Sequence, residues 1–253
     1  MSIINKKEKK PVIQFACSLP DVAEIMPIIP YSSYRHDWKV RAAKDAGANK
    51  CPVTGYVHSV SRCPGINNIQ ARGWVVRAWQ DVVIHTYGEG DQGYSWESAT
   101  DLTATGETWD YISGHDPEDY RIYRKNWPLN TLDSIIKVQT GWYAKVPKGY
   151  QLLQLHPPLL DESTFTAVEG SYRASEGLAA INIPMYWHKL EGSHLIKAGT
   201  PLAWLLLVPD EEPTYEIIDY ENLRGLGRIT QLIKDSAFTT DFRRLRRFFG
   251  DKS

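Results

Sequence analysis

Three apolar blocks within residues 142–211 indicate the fold: Val146-Pro-Lys-Gly-Tyr150, Phe165-Thr-Ala-Val-Glu-Gly170 and Ile196-Lys-Ala-Gly-Thr-Pro-Leu-Ala-Trp-Leu-Leu-Leu-Val-Pro209. Each block is strand-sized and is interrupted by glycine or proline, the residues that most often form turns. Pro147 favours an extended backbone and Gly149 allows a positive φ, so the first block predicts a tight turn between two strands. The blocks therefore predict a compact β fold.

Further runs of β-type composition extend this prediction outward. Residues 11–17 predict the first strand, and residues 74–79 and 81–87, joined through Gln80, predict a buried strand pair. The other predicted strands are residues 94–97, 135–146, 150–155, 178–183 and 202–208. We therefore expect a mainly β fold, a sandwich or barrel, with short helices and a C-terminal amphipathic basic helix.

Composition changes along the chain predict its organisation. Residues 1–10 form a charged lead-in that we expect to be flexible, and residues 11–213 form the β domain, with an aromatic-rich insertion at residues 88–130. Residues 214–253 are expected to be helical. The apolar residues of segment 240–249 fall on one helical face and its arginines around the other, which predicts a partner-binding surface. Its arginines are Arg243, Arg244, Arg246 and Arg247.

The totals are those of an ordinary globular protein. The 253 residues are 42% hydrophobic and 23% charged, and the formal net charge of −1 gives no strong attraction for nucleic acid. No apolar run approaches the length of a membrane span, and no apolar segment follows the basic N-terminal residues as in a signal peptide. The three cysteines show no disulfide framework. We therefore expect a cytoplasmic protein.

The seven histidines do not show the spacing of a metal site. There is no His-x-His pair, and the side chains of the adjacent His-Asp pairs at 36–37 and 115–116 would point to opposite faces of a strand. We expect His156 in a proline-rich turn and His188 and His194 in a solvated loop, and no metal site is predicted. A scattered site stays open, drawn from four histidines: His85, His156, His188 and His194.

The order of the blocks resembles the β-clip fold of the dUTPase and dCTP deaminase superfamily. Those proteins have a Pro-x-Gly-Tyr turn, a turn with Ala and Gly, an Asn-bearing strand, and an Ile-x-x-Gly-Asp-Arg-Ile-Ala-Gln-Leu block before the last strand. The matching segments are Pro147-Lys-Gly-Tyr150, Ala167-Val-Glu-Gly170, Ile181-Asn-Ile183 and Ile196-Lys-Ala-Gly-Thr-Pro-Leu-Ala-Trp-Leu205. The likeness covers about a quarter of the chain.

Two departures separate this chain from the dUTPase pattern. In dUTPases an aspartate three residues beyond the turn glycine orients the attacking water, and Arg173 stands at that place here. The family's phosphate-binding motif is replaced by Leu155-His-Pro-Pro-Leu159. Without an acidic side chain to activate water, hydrolysis has no general base. The resemblance therefore implies a fold and not a dUTPase activity.

A second resemblance covers more of the length. An uncharacterised family of phage-encoded and bacterial proteins combines an N-terminal Cys-Pro-Gly block with later Pro-x-Gly-Tyr and Ile-x-x-Gly-Thr-Pro motifs. The matching segments are Arg62-Cys-Pro-Gly-Ile66, Val146-Pro-Lys-Gly-Tyr150 and Ile196-Lys-Ala-Gly-Thr-Pro-Leu202. This resemblance implies the fold and a phage-like origin. For a phage-encoded protein the expected location is the host cytoplasm or the virion.

Two classes of function follow. The favoured one is a non-catalytic phage-type binding or assembly protein, a virion or host-interaction component, that forms a homo-oligomer or a larger assembly. Binding of nucleic acid through the arginine helix is not favoured. The alternative is a small-molecule site in a β cleft, for a nucleotide-like ligand or a metal-dependent enzyme whose cofactor is unknown. Seven residues frame that cleft: Trp142, Tyr150, His156, Tyr172, Arg173, Asn182 and His188.

Overall fold

A computed structural model describes residues 10–48, 63–88, 93–98, 103–104, 107–108, 110–115, 130–160, 162–173 and 177–217. The chain divides into two compact units. One contains Met1–Tyr31 and Gly73–Glu211, and the other contains Ser32–Arg72 and Glu212–Ser253. The predicted C-terminal helix and its four arginines lie outside the described residues, so that part of the fold stays a prediction.

The described strands all lie in the first unit, and short helices accompany them. The strands are β1 Gln14–Cys17, β2 Ile29–Pro30, β3 Trp74–Arg77, β4 Val82–Tyr87, β5 Tyr94–Ser98, β6 Thr103–Ala104, β7 Glu107–Thr108, β8 Ile112–Gly114, β9 Ile136–Lys145, β10 Tyr150–Leu155, β11 Phe165–Ala167, β12 Gly170–Arg173, β13 Leu178–Trp187, β14 Glu191–Ile196 and β15 Pro201–Pro209. Helix α1 is Pro20–Ile25, a 3-10 turn is Tyr31–Ser33, and the second unit contributes α2 Asp37–Ala48 and α3 Pro64–Gln70.

Thirteen strands form three antiparallel sheets. Sheet A has the order β1-β9-β13-β11, and β8 also pairs with β9. Sheet B has the order β12-β10-β15-β3-β2, and sheet C has the order β14-β4-β5. The two remaining strands, β6 and β7, pair with each other. The prediction of a mainly β, sandwich-like fold is confirmed, and none of these sheets closes into a barrel over the described residues.

The core follows from the alternation of side chains along the strands. On β13, Ile181, Ile183, Met185 and Trp187 are fully buried, and the residues between them are half-buried. Strand β15 lies between β10 and β3 inside sheet B and is buried at five successive positions, so both of its faces are covered there. An interior strand with both faces covered requires an unbroken apolar run, and residues 202–208 supply one.

Sheets B and C are joined by one bent antiparallel ribbon. Strand β4 pairs with β14 in sheet C, and the same two chain segments continue as β3 and β15 in sheet B. At the bend Ala78 N donates to Thr200 O at 2.9 Å and Gly199 N donates to Ala78 O at 2.7 Å. The Asp81 carboxylate accepts the Ala198 N–H at 2.7 Å. These bonds hold the bend at which the ribbon passes from sheet B to sheet C.

One expectation about pairing is wrong. Strands β3 and β4 do not pair with each other, because β3 pairs with β2 and β15 while β4 pairs with β5 and β14. Four residues, 78–81, separate the two strands, and they carry the chain from sheet B to sheet C instead of reversing it. Apolar alternation identifies a strand, but it does not identify the strand's neighbour.

The predicted glycine turns are confirmed. Gly149 has φ +80° and Tyr150 N donates to Pro147 O at 3.2 Å. Gly199 has φ +87° and Thr200 N donates to Lys197 O at 3.0 Å.

Within the described residues, no helix is long and apolar enough to cross a membrane.

Candidate functional site

The seven residues of the predicted cleft lie on sheets A and B. Trp142 is in β9, Asn182 is in β13, and Tyr150 is the first residue of β10. Tyr172 and Arg173 are in β12, while His156 follows β10 and His188 follows β13. The structure brings four of them into two polar networks: Tyr172, Asn182, His156 and His188. Neither network includes Trp142, Tyr150 or Arg173.

The first network has Gln154 of β10 at its centre. The Tyr172 hydroxyl donates to Gln154 Oε1 at 2.7 Å and also lies 3.4 Å from the backbone carbonyl of Asn182. The Gln154 amide donates to Val168 O at 3.3 Å. Gln154 is 2% exposed, so both ends of its amide depend on these partners. Because β12 and β10 belong to sheet B and β13 to sheet A, the network ties the two sheets together.

His156 forms a second tie between the same sheets. Its Nδ1 accepts the backbone N–H of Ala167 in β11 at 3.2 Å, and its ring meets Phe165 edge-on at 6.3 Å between centroids. Because Nδ1 accepts a hydrogen bond, the neutral ring carries its proton on Nε2. This tautomer is assigned from the hydrogen bond. The side chain therefore acts as a clamp that holds strand β11 of sheet A against the end of β10.

His188 is held on both ring nitrogens. Thr131 Oγ1 lies 3.0 Å from Nδ1, and Thr166 Oγ1 lies 2.8 Å from Nε2. The backbone N–H of His188 donates to Thr164 O at 2.8 Å. The expectation of a solvated loop is wrong for this residue, which is half-buried beside β11. It is also wrong for His194, which lies within β14 with its ring 6.3 Å from that of Trp187.

Both histidines of this region favour the neutral form. Burial lowers the pKa of His156, nearby His188 lowers it further, and Glu169 opposes the shift. Burial, and then Lys189, lower the pKa of His188. Neutral imidazoles can bind metals, but three of the four ring nitrogens already have hydrogen-bond partners. No group of three or more His, Cys, Asp or Glu side chains in the described part of the chain could hold a metal ion.

Trp142 lies at an irregularity of strand β9. Residues 140–142 face the single residue Ile181 of β13, because the register shifts between Ala180 and Asn182. The Thr140 hydroxyl donates to Ile181 O and accepts the Trp142 N–H at 3.2 Å, and Gly141 has φ +74°. Bulges of this kind redirect side chains and are common beside functional sites. This one leaves the Trp142 side chain 8% exposed.

Arg173 and Tyr150 lie away from these ties. Arg173 is exposed on β12 opposite Gln151, and Tyr150 is half-buried opposite Pro209. The position at which the dUTPase resemblance requires an aspartate thus presents a guanidinium group to solvent. A guanidinium stays protonated and cannot act as a general base.

Sequence reasoning missed a third polar cluster, on sheet C. His85 Nδ1 lies 2.7 Å from Ser193 Oγ, and His85 Nε2 lies 3.6 Å from Glu97 Oε1. The order of groups is that of a nucleophile, a base and a carboxylate. However, 3.6 Å exceeds a hydrogen bond, and the Glu97 side chain is 78% exposed, so the carboxylate orients the ring weakly. His85 and Ser193 are 108 positions apart, and only strand alternation could have indicated that they share a face.

These features define an antiparallel β sandwich whose two main sheets are tied by polar side chains. Among solved structures, it is similar to a mutant dUTPase of Staphylococcus bacteriophage 80alpha, with 14% identity, a TM-score of 0.32 and coverage of 59% of this chain and 83% of that one. It is also similar to a mutant dUTPase of phage phi11 of S. aureus, a structure that coordinates a structural Mg(II) ion, with 13% identity, a TM-score of 0.32 and coverage of 58% and 83%.

The chain therefore has partial structural similarity to the dUTPase fold, and the similarity carries no argument about activity. No family model matches the sequence. No curated protein matches it either.

Proposed function

We propose that this protein is a non-catalytic binding or assembly protein of phage type, a virion or host-interaction component. The observation that supports this proposal is that polar side chains of the predicted cleft make their hydrogen bonds within the protein. The Tyr172 hydroxyl, His156 Nδ1 and both ring nitrogens of His188 have partners within the protein. A general acid or base must reach the substrate's proton. Groups that hold two sheets together serve stability instead.

Exposed apolar side chains on the sheets support a binding role. Tyr87 is 68% exposed, Leu178 56% and Leu195 46%. Tyrosine is enriched at protein interfaces because its ring buries a large area while its hydroxyl stays paired. The resemblance of the sequence to a phage-encoded family supports the phage-type part of the proposal.

A nucleotide assay tests this function directly. The full-length protein is titrated with dUTP and with dCTP in the presence of Mg²⁺, by calorimetry and by measuring pyrophosphate release. We expect neither saturable heat nor pyrophosphate above the rate without protein. Saturable binding that Tyr172→Phe or His156→Asn weakens would overturn the proposal, because these changes alter the cleft without adding bulk.

A small-molecule site is the second candidate function. It is supported by the proximity of two neutral imidazoles, because His188 is close enough to His156 to lower its pKa. To bind a divalent cation at such a site, His188 would lose a hydrogen bond to the hydroxyl of Thr131 or Thr166. Titration with Zn²⁺ tests it, with His188→Gln as the variant that should abolish binding.

A further inference from the structure

The solvent-facing side of sheet C, here called the outer face, is built from alternate residues of three strands. Successive side chains of a strand point to opposite sides, and Val82, Ile84 and Thr86 of β4 are buried on the inner side. The cross-strand register places the outer residues in three rows. The rows are Glu191 with Tyr87, then Ser193 with His85 and Ser95, then Leu195 with Val83 and Glu97.

The outer face is open and partly apolar. Tyr87 is 68% exposed, Leu195 is 46% exposed, and the Glu97 side chain is 78% exposed. An exposed aromatic ring and an exposed leucine rimmed by polar groups mark an interaction surface.

Hydrogen bonds hold the central side chains of this face in place. The Tyr87 hydroxyl lies 2.7 Å from Ser95 Oγ, and His85 Nδ1 lies 2.7 Å from Ser193 Oγ. A side chain that is already fixed loses less conformational entropy when a partner binds. The Tyr87 ring is thus presented to solvent in a defined position.

The charge of the outer face selects the chemistry of its partner. Its eight side chains include Glu97 and Glu191 and no lysine or arginine. The two carboxylates lie at opposite corners, separated by about 13 Å along the strands and about 10 Å across them. Arginine matches this surface best, because its guanidinium pairs with a carboxylate in two hydrogen bonds and also stacks on an aromatic ring.

We propose that the outer face of sheet C binds an arginine-bearing segment of a partner protein. Two arginines pair with Glu97 and Glu191, and an apolar side chain between them packs on Tyr87 and Leu195. In an extended segment, arginines four residues apart point to the same side and span about 13 Å, and their long side chains cover the remaining distance to the two carboxylates. This inference rests on the proposed binding function and names the surface and partner chemistry through which it operates.

The test uses the full chain and a labelled synthetic peptide, followed by fluorescence anisotropy. The peptide carries two arginines four residues apart with leucine and phenylalanine between them, and matched peptides carry lysine or glutamate instead of arginine. We expect saturable binding of the arginine peptide, weaker binding of the lysine peptide by about tenfold, and none of the glutamate peptide. Added salt should weaken the binding.

Charge reversal locates the site. The double variant Glu97→Arg/Glu191→Arg should lose binding of the arginine peptide by at least about tenfold and gain binding of the glutamate peptide. The matched control Glu24→Arg/Glu211→Arg makes the same change of charge at two exposed positions outside sheet C and should bind as the unaltered protein does. Gain of glutamate-peptide binding also shows that the first variant is folded. Equal loss in both double variants, or no loss in the first, would overturn the proposal.

Removing the aromatic ring of Tyr87 separates the contribution of stacking to peptide binding from that of charge. Tyr87→Ala should weaken binding of the arginine peptide, and Tyr87→Phe should preserve it. Should the peptide fail to bind while the protein forms complexes and carries no nucleotide or metal, the inference about sheet C falls and the proposed function stands. A nucleotide or metal ion bound to the protein in stoichiometric amount would instead contradict the proposed function itself.

Discussion

At the scale of single residues, the packing around Gly73 leaves no room for a side chain. Gly73 has φ +74°, and an added Cβ would collide with the carbonyl oxygen of Leu205 and lie 2.7 Å from Trp204 Nε1. Both contacts are on β15, an interior strand that cannot shift without disturbing β10 and β3. We therefore expect Gly73→Ala to lower the free energy of unfolding by more than its backbone strain alone, measured by urea denaturation.

Gly177 provides the matched control for Gly73. It has the same φ of +74°, and nothing lies within 4 Å of an added Cβ. Gly177→Ala should cost about 1–2 kcal/mol from the left-handed backbone alone. The overpacking at Gly73 should add about 1–3 kcal/mol to that cost. Equal losses in the two variants would show that β15 does not lie over Gly73 as described.

Tyr172 tests whether the first polar network contributes to stability. Tyr172→Phe removes the hydroxyl that donates to Gln154 Oε1 and leaves that oxygen, on a side chain 2% exposed, without this donor. We expect a loss of about 1–3 kcal/mol in the free energy of unfolding, because an unsatisfied buried acceptor loses its hydration as well. The measurement is urea denaturation followed by tryptophan fluorescence.

The control for Tyr172 is the exposed Tyr87. Tyr87→Phe removes a hydrogen bond of the same 2.7 Å length, to Ser95, on the solvent-facing side of sheet C. Water replaces the lost partner there, so the loss should stay within about 0.5 kcal/mol. A small effect of Tyr172→Phe, similar to that of the control, would remove the case for a structural role and favour a ligand site.

Sequence reasoning found several residues of these networks but not their roles. Motif order and resemblance group Tyr172, Asn182, His156 and His188. The structure places the first three in contacts that tie sheets A and B, and it places His188 between Thr131 and Thr166. Gln154 was missed, because a glutamine in a strand has no sequence signal. Its importance comes from burial and from two partners, Val168 and Tyr172. Such partners are set by the packing of sheets, which a local pattern does not encode.

At the scale of elements, strand existence was predictable and strand pairing was not. The predicted bounds of β10 agree with the structure, and β9 and β15 agree within one residue at each end. Strand β13 was predicted to stop at Ile183, but it continues through Pro184 to Trp187. Proline lacks only its N–H, and the Pro184 carbonyl still accepts the Val168 N–H at 2.8 Å.

The hydrogen bonds of His156 and His188 predict that acid weakens the fold. The pKa values of His156 and His188 are lowered from 6.5, chiefly by burial. The unfolded chain therefore binds more protons than the folded one near pH 6.5. The stability that these groups contribute is present above about pH 6.5 and is lost as the pH falls through their lowered pKa values. Protonated His156 also cannot accept the Ala167 N–H.

The measurement is the urea midpoint at about pH 7.5 and about pH 5.5 for the protein and for His156→Asn/His188→Gln. Asparagine keeps an acceptor at the position of Nδ1 but does not titrate in this range. His36 shifts in the same direction, through burial and then Lys39, so the comparison with the double variant isolates the pair. We expect the loss of stability on acidification to be smaller in the double variant. An unchanged loss would assign the pH dependence to other groups.

At the scale of the whole molecule, the described sheets and the C-terminal segment belong to different units. Sheets A, B and C lie within Met1–Tyr31 and Gly73–Glu211, whereas Glu212–Ser253 belongs to the other unit. We expect a chain truncated before Thr240 to keep a cooperative melting transition while its association weakens. Calorimetry measures the first property and sedimentation the second. Loss of cooperative melting would sink the idea of a separable docking helix.

We propose that this β sandwich binds other macromolecules and that the residues of its predicted cleft stabilise the fold. Native mass spectrometry of the purified full-length protein, with metal analysis on the same sample, distinguishes this role from that of a ligand site. We expect a defined oligomer or partner complex whose mass includes no metal ion and no nucleotide. A monomer or trimer that carries a stoichiometric metal ion or nucleotide-sized ligand would contradict it.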